Sequence, residues 1–343
     1  MYITRDIENT IFLKWLTSND IRPLLVHGAR QIGKTATVKH FAKNHFKNIY
    51  YINLAYDKVI NFIDSKDSVI IIDEIQRAPH IISSIKPLHS KLVLISSHKI
   101  TLPIEVYDAP MTGFTFREFL MAFNNSSFIP TIEEHLSSPK PFSNKVHKQL
   151  LELFSIYLTL GGYPEVIQSY LNGCKPYPIL YTILDNTFEE AIHICKGIHY
   201  RMLLKRVRYS LPYLIQSHAE TFDKATTNLI NLLRKTYIFT SIHNYQSPEK
   251  KHIYLTDTGI ANVFLESKQI TLESYICSNL SKPVTYLNNN TFLYQRTAIE
   301  VNTISIKPSK EIDFIIRTGT DNISKESNIL TIPFYAFPFL KFS

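Results

Sequence analysis

The sequence predicts an α/β protein that begins with a parallel sheet and continues into a mostly helical region and a final α/β segment. Over residues 1–120, short apolar runs alternate with amphipathic stretches, which is the pattern of a parallel sheet covered by helices. Residues 145–235 have mainly helical periodicity, and the end of the chain looks like mixed strand and loop. A chain of 343 residues is long enough for two or three domains.

The composition is typical of a soluble globular protein, with 45% hydrophobic and 19% charged residues. The net charge of +8 is compatible with nucleic-acid or membrane-surface contact, but is equally common without either. Arg5, Asp6 and Glu8 precede any apolar run, which argues against a signal peptide, and the apolar stretch Ile329–Leu340 is too short to span a bilayer. Three widely spaced cysteines argue against a disulfide framework or a structural zinc site. We therefore expect a cytoplasmic protein.

Short apolar runs and one amphipathic run place the first elements. The predicted strands are Leu24–His27, Ile49–Leu54, Val69–Ile72 and Lys91–Ser96, and the predicted helix is Lys34–His45. Val69–Ile72 is wholly apolar, as expected for a central strand that is covered on both faces.

The middle of the chain contains a polar break and a hairpin pattern. Residues 124–144 are rich in Ser, Asn and Pro, which predicts a linker rather than a packed element. Beyond the helical region, the strand-like runs Tyr237–Tyr245 and His252–Leu255 flank a polar turn, which predicts a hairpin.

A phosphate-binding loop is predicted between the first strand and the first helix. The pattern GxxxxGK[ST] is matched at every fixed position by Gly28, Ala29, Arg30, Gln31, Ile32, Gly33, Lys34 and Thr35. Glycines let the backbone turn its N–H groups towards phosphate oxygens, and the lysine can reach the β- and γ-phosphates of ATP. The threonine hydroxyl can ligate Mg²⁺, and the helix that follows offers its N-terminal amides to the same anion.

An apolar strand that ends in two carboxylates predicts the partner of this loop. Val69–Ile72 leads directly into Asp73 and Glu74. At the carboxyl edge of a parallel sheet, Asp73 could hold Mg²⁺ and its water shell, and Glu74 could orient and deprotonate an attacking water. Two acids that merely cap a strand are the alternative, but the nearby phosphate loop favours the functional interpretation.

Other polar residues near these motifs are weaker candidates. Ser96 and Ser97 end an apolar strand, where a hydroxyl could sense the γ-phosphate or position water, or simply form a polar turn. Arg30 and Arg77 are close in sequence to the two motifs, and either could contact phosphate, although a solvated or salt-bridged arginine is the more common outcome. No arginine finger can be identified from the sequence.

A basic stretch lies in the helical region, where residues 191–219 include no acid. On a helix, Arg201, Lys205 and Arg208 share one face, and we expect Pro212 to interrupt the helical pattern. With the hairpin as a wing, this stretch is compatible with duplex DNA binding through phosphates. The alternative is a solvated face on an ordinary helical lid.

Seven pieces of the sequence occur in the order seen in a known family. They are Gly28–Thr35, Ile72–Pro79, Phe116–Leu120, Gly161–Glu165, Tyr254–Gly259, Glu311–Ile315 and Ile332–Ala336. On these pieces the chain resembles the prokaryotic AAA-type ATPases whose C-terminal half is a domain of unknown function. The resemblance implies a P-loop AAA-type ATPase domain at 1–123, a linker at 124–144, a helical lid and winged-helix-like region at 145–260, and a restriction-endonuclease-like α/β domain at 261–343.

Two departures from that family bear on nucleotide sensing and DNA binding. After Lys91–Ser97, the glycine-rich loop of the family is missing, and residues 98–109 fill the space without a glycine. This departure puts sensing of the γ-phosphate in doubt. The segment 210–226 is short for a complete helix-turn-helix, which weakens the DNA-binding interpretation.

A third departure concerns the nuclease-like end. Metal-dependent nucleases of this fold use an Asp followed, one strand later, by Glu-x-Lys. Asp313 matches the first acid and Glu273 could match an acid on the preceding helix, but the Glu-x-Lys strand is missing. We infer an internal deletion and a truncated, degenerate C-terminal domain, and we predict no nuclease activity.

The leading hypothesis is an ATP-binding protein that hydrolyses ATP with Mg²⁺ and couples its nucleotide state to a partner. The partner could be duplex DNA, another protein or a second copy of the chain, and no membrane contact is expected. The alternatives are a nucleotide-gated binding module without useful turnover and a DNA-associated factor.

Overall fold

The structure of the chain is a computed structural model, which describes residues 2–342 apart from 19, 58–60, 86–88, 195–197, 281–282 and 305. Two compact units are present. The first comprises Met1–Gly113 and Arg234–Tyr237, and the second comprises Phe114–Leu233 and Ile238–Ser343. No helix among the described residues is long and apolar enough to cross a membrane.

The first unit contains one parallel sheet. Its elements are α1 (Leu13–Thr17), β1 (Leu24–His27), α2 (Lys34–His45), β2 (Asn48–Asn53), β3 (Ser68–Asp73), β4 (Lys91–Ser96) and β5 (Tyr107–Pro110). The strand order is β2-β3-β4-β1-β5, and every neighbouring pair is parallel. All five carboxyl ends therefore lie at one edge of the sheet, which is where α/β proteins bind ligands.

The four strands and the helix predicted in this region are confirmed. Every residue of β3 is buried, as a central strand requires, and Ile70 and Ile72 belong to one core cluster with Leu25, Leu92 and Leu94. The short strand β5 escaped prediction because Tyr107–Pro110 is half exposed and has neither an apolar run nor clear alternation.

A segment from far along the chain completes the first unit. The Tyr237 hydroxyl is hydrogen-bonded to Nδ1 of His27 at 2.7 Å, and Nε2 of His27 lies 2.8 Å from Oδ1 of Asp108. Because a carboxylate only accepts, Nε2 donates to Asp108, and in the neutral ring Nδ1 accepts from Tyr237. The amide of Lys99 donates to the carbonyl of Lys235 at 2.8 Å.

The second unit begins with helices and ends with a mixed sheet. The helices are α3 (Phe116–Ala122), α4 (Phe128–Ser137), α5 (Asn144–Leu160), α6 (Pro164–Leu171), α7 (Tyr177–Ile194), α8 (Ile198–Gln216) and α9 (Lys224–Lys235); the last two residues of α9 belong to the first unit. They are followed by β6 (Phe239–Asn244), β7 (Lys251–Leu255), α10 (Thr258–Phe264), α11 (Lys268–Ser278), β8 (Thr285–Asn288), β9 (Thr291–Tyr294), β10 (Thr297–Val301), β11 (Phe314–Gly319), β12 (Ser324–Glu326) and β13 (Ile329–Pro333).

The predicted hairpin is formed by β6 and β7, but it belongs to a larger sheet. The strand order is β12-β13-β11-β10-β9-β8-β6-β7, with β6 parallel to β8. The predicted boundary between residues 260 and 261 therefore separates strands of one sheet. The first unit is also shorter than the predicted domain at 1–123, because α3 belongs to the second unit.

Two local predictions are wrong. The predicted linker at 124–144 contains helix α4, because Ile129 and Ile132 lie one turn apart and bury the same face. Pro212 does not interrupt α8, which continues to Gln216. A proline removes one backbone donor, and the buried side chains of Leu211 and Ile215 on either side show that packing outweighs that loss.

Candidate functional site

The predicted phosphate loop connects β1 to α2 through unusual backbone angles. Gly33 has a φ of 94°, the left-handed region that glycine enters without strain, and α2 begins at the next residue. A Cβ on Gly28 would lie 2.0 Å from the carbonyl oxygen of Met111, so only glycine fits there. Arg30 and Gln31 lie between the two glycines. The glycines thus set the path of the loop, and the first turn of α2 leaves its amides free of helical partners.

The Lys34 side chain lies along this loop. Its ammonium donates to the carbonyl oxygens of Gly28 at 3.0 Å and Ala29 at 2.7 Å, and the residue is only 6% exposed. A buried ammonium needs such acceptors. Phosphate oxygens at the same place would offer a stronger, oppositely charged partner.

Thr35 and Asp73 are brought together although they belong to different motifs. The Thr35 hydroxyl donates to Oδ2 of Asp73 at 2.7 Å, and the amide of Glu74 donates to Oδ1 at 2.8 Å. Asp73 ends β3 at the carboxyl edge of the sheet and is buried. Hydroxyl and carboxylate oxygens are the ligands that Mg²⁺ prefers in proteins, so this pair fits a magnesium ion.

Tyr51 is also hydrogen-bonded to the Asp73 carboxylate, and the sequence did not reveal this residue. Its hydroxyl donates to Oδ2 of Asp73 at 2.9 Å, and the ammonium of Lys39 lies 3.3 Å from its ring centroid. Burial, followed by the hydrogen bond to Asp73, raises the pKa of Tyr51 to about 12, so the phenol stays a donor at neutral pH. The available signal was its place near the end of β2, the strand beside β3.

Glu74 follows Asp73 in a left-handed conformation, with φ 58°. Its Oε2 accepts from Nε2 of Gln76 at 2.7 Å, while Nε of Arg77 lies 3.7 Å away. Arg77 is more than half exposed, so this long ion pair holds the carboxylate only weakly. The left-handed turn is costly for a non-glycine residue and is of the kind found at functional sites.

Of the predicted sensors, Ser96 ends β4 and Ser97 follows it, and both are buried. The Ser96 hydroxyl lies 3.1 Å from Oε1 of Gln76 and 2.7 Å from the carbonyl oxygen of His98. Ser96 is therefore linked through Gln76 to Glu74. Direct sensing of a phosphate by Ser96 or Ser97 stays a prediction.

The N-terminal segment supports the loop from outside, which sequence patterns did not reveal. The buried Arg5 guanidinium donates to the carbonyl oxygens of Ile32 at 3.0 Å, Thr112 at 2.9 Å and Gly113 at 3.0 Å. Glu8 accepts from the Arg5 amide at 2.9 Å. Because a guanidinium has five fixed donors, it can join three separate carbonyl groups in this way.

The predicted DNA-contacting residues all lie on α8. Lys205 is exposed, whereas Arg208 forms an ion pair with Asp185 on α7 and lies over the ring of Phe188. The side chain of Arg201 lies outside the described residues. On another face of the helix, Leu204 and Leu211 are buried, so α8 is amphipathic.

The two acids assigned to a nuclease-like centre have other partners. Asp313 is exposed and forms an ion pair with Arg296. Glu273 is fully buried and lies 2.7 Å from Nε2 of His218. Among the residues that the structure describes, no group of three or more His, Cys, Asp or Glu side chains is placed to hold a metal ion. The predicted lack of nuclease activity stays a prediction.

Comparison with known proteins bears on the first unit. Residues 20–120 match the family model of an AAA domain, which includes the phosphate loop, Asp73 and Glu74. This match and the parallel α/β sheet agree with a P-loop ATPase domain in this part of the chain. No curated protein matches the sequence.

Several solved structures are similar to this chain, but only distantly. A Walker-type ATPase of Pyrococcus abyssi has 11% identity and a TM-score of 0.45 over 77% of this chain and 96% of that one. The Aeropyrum pernix ORC1 protein in complex with DNA has 10% identity and a TM-score of 0.28, over 77% and 92%. The Thermotoga maritima RuvB Holliday junction branch migration motor has 13% identity and a TM-score of 0.27, over 65% and 92%. Similarities at this level indicate neither an activity nor a partner.

Proposed function

We propose that this chain binds ATP and hydrolyses it with Mg²⁺, as an AAA-type ATPase. The observation that carries the proposal is the 2.7 Å hydrogen bond from Thr35 to Asp73. It joins the phosphate loop to the acidic strand end, 38 residues apart in sequence, at the carboxyl edge of a parallel sheet. Both residues are of the types that hold Mg²⁺ beside a nucleotide.

The residues of the site have separate tasks in this proposal. The amides of residues 30–35 bind phosphate oxygens, and the Lys34 ammonium exchanges the carbonyl oxygens of Gly28 and Ala29 for the β- and γ-phosphates. Thr35 and Asp73 hold Mg²⁺, which supplies positive charge to the phosphates. Glu74 accepts a proton from the attacking water.

The test separates binding from turnover. We expect Lys34→Ala to weaken ATP binding by about tenfold or more, because a charge-assisted hydrogen bond contributes roughly 1.5–3 kcal/mol. Glu74→Gln should keep nucleotide affinity and lower phosphate release by about 10²- to 10⁴-fold. Lys43→Ala, an exposed lysine on the same helix, is the matched control. Unchanged ATP affinity in Lys34→Ala would show that the site assignment is wrong.

A nucleotide-gated binding module is the second candidate, favoured by the segment that follows β4. Ile100, Leu102, Ile104 and Val106 pack against the core of the first unit, where the related family has a glycine-rich loop. Tight ATP binding without phosphate release, even when DNA or protein is added, would select this candidate.

Duplex DNA, a protein and a second copy of the chain are the partners we propose to test. For DNA, the exposed Lys205 is the residue to neutralise, because Arg208 is already paired. If Lys205 contacts a phosphate, Lys205→Ala should reduce the salt dependence of duplex binding by about one unit of slope. Binding of duplex DNA that does not depend on the salt concentration would count against contact with DNA phosphates. Mg²⁺-dependent DNA cleavage that disappears in Asp313→Ala would overturn the predicted lack of nuclease activity.

A further inference from the structure

The side chain of Gln76 lies between Glu74 and Ser96. Its Nε2 donates to Oε2 of Glu74 at 2.7 Å, and its Oε1 lies 3.1 Å from the Ser96 hydroxyl. A carboxylate can only accept, so the amide nitrogen must face Glu74 and the amide oxygen must face Ser96. The orientation of the amide is therefore fixed by its two partners.

The Ser96 hydroxyl has two acceptors and one proton. It lies 2.7 Å from the carbonyl oxygen of His98 as well as 3.1 Å from Oε1 of Gln76, and it accepts from the His98 amide at 3.2 Å. A single proton can serve one of the two acceptors fully, or both poorly. Gln76 is thus held firmly when the Ser96 hydroxyl donates to Oε1 of Gln76, and loosely when the hydroxyl donates to the carbonyl oxygen of His98.

The backbone of Ser96 is in contact with the phosphate loop. Its carbonyl oxygen accepts from the amide of Gly28, the first residue of the loop, at 3.3 Å. A movement of the loop backbone at Gly28 would therefore act on Ser96, the residue whose hydroxyl holds Gln76.

We infer that Gln76 is a positioning residue, which holds the Glu74 carboxylate for water activation while Ser96 determines how firmly Gln76 is held. This inference rests on the proposed ATP hydrolysis. Arg77 cannot take over the task, because its Nε is 3.7 Å from Glu74 and its side chain is 53% exposed. Ser96 then acts on the reaction through Gln76 rather than by contact with a phosphate.

The first experiment measures kcat and the dissociation constant of Mg·ATP in four proteins: wild type, Gln76→Met, Ser96→Ala and the double variant. We expect Gln76→Met to lower kcat by about 10- to 100-fold, since small displacements of a reacting group cost that much. Affinity for Mg·ATP should change less than about threefold, because Gln76 acts on Glu74, which activates water, and not on the residues proposed to hold the phosphates and Mg²⁺. Gln149→Met, an exposed glutamine on α5, should leave both values unchanged.

The double variant tests the order of action. If Ser96 works through Gln76, adding Ser96→Ala to Gln76→Met lowers kcat no further. Additive losses of kcat, or wild-type kcat in Gln76→Met, would overturn the inference. A parallel loss of affinity and kcat would indicate general damage to the site, and would overturn it as well.

The Glu74→Gln variant keeps this inference distinguishable from the proposed function. If Glu74→Gln abolishes turnover while Gln76→Met retains it, only the role of Gln76 is wrong. If the wild type shows no turnover, crystal structures of wild type and Gln76→Met with a non-hydrolysable ATP analogue decide. A Glu74 carboxylate displaced in Gln76→Met supports the positioning role, and an unmoved carboxylate contradicts it.

Discussion

The backbone amide of Gly162 donates to Oδ2 of Asp257 at 2.7 Å, joining two segments 95 residues apart in the second unit. The other oxygen, Oδ1, caps α10 by accepting from the amide of Ile260 at 3.0 Å. A Cβ on Gly161 would lie 2.2 Å from Oδ1 of Asp257, and one on Gly259 would lie 2.3 Å from the carbonyl oxygen of Leu160. The motifs Gly161–Glu165 and Tyr254–Gly259, each a weak signal in the sequence, thus form one buried junction.

This junction should make stability depend on pH. Burial raises the pKa of Asp257 to about 6, although its backbone donors favour the ionised form. Because the pKa is raised in the folded state, the stabilisation is complete below about pH 4 and is lost as the pH rises through 6. The contribution of Asp257 to the free energy of unfolding should fall by about 2 kcal/mol between pH 4 and 7.

Urea unfolding of wild type and Asp257→Asn across this range would measure the effect. The amide does not titrate, so the destabilisation caused by the variant should shrink as the pH rises. Asp223→Asn is the control, since hydrogen bonds from Thr226 lower the pKa of Asp223 and move its titration below this range. A constant difference between wild type and Asp257→Asn would contradict the raised pKa.

Tyr51→Phe should weaken the response to magnesium. The variant removes only the hydroxyl that donates to Asp73, so the carboxylate loses one of the groups that fix its position. We expect the Mg²⁺ concentration for half-maximal turnover to rise about three- to tenfold, from a hydrogen bond of about 1 kcal/mol. ATP affinity without metal should not change. Tyr50→Phe, the neighbouring tyrosine that packs against the core, should behave as wild type.

Gly28→Ala should damage the first unit. The added methyl group would meet a backbone oxygen at 2.0 Å, which cannot move away as a side chain could. We expect a loss of about 2–4 kcal/mol in stability, measured by denaturant unfolding, together with loss of ATP binding. Gly319→Ala, where the nearest atom is 4.0 Å from the added carbon, is the control. Equal effects of the two substitutions would contradict the close packing of the loop.

Arg5→Lys should weaken ATP binding without removing a charge. A lysine cannot span three carbonyl groups, so the buried carbonyl group of Ile32 or the half-buried ones of Thr112 and Gly113 would lose their donor. We expect a cost of about 2–3 kcal/mol in the free energy of unfolding and a measurably larger dissociation constant for ATP. Arg22→Lys, at an exposed pair with Asp20, should leave both unchanged. Wild-type ATP affinity in Arg5→Lys would show that the loop does not depend on this support.

The sequence predicted those parts of the first unit that depend on local patterns. The strand Val69–Ile72 was predictable because burial on both faces demands a continuous apolar run, and the loop at Gly28–Thr35 because its chemistry fixes the spacing. Local patterns do not reveal the roles of Arg5 and Tyr51, since these depend on contacts with residues 27 and 22 positions away. Helix α4 was missed because polar residues around Ile129 and Ile132 outweighed a short helical repeat.

The contact between Tyr237 and His27 has a consequence for how the protein is made. A chain emerges from the ribosome in order, and domains fold as their residues become available. Residues 114–233 must be synthesised before Arg234–Tyr237 can join the first unit. A nascent chain that carries the whole phosphate loop therefore still lacks Tyr237, the partner of His27, until residues 114–233 have been translated.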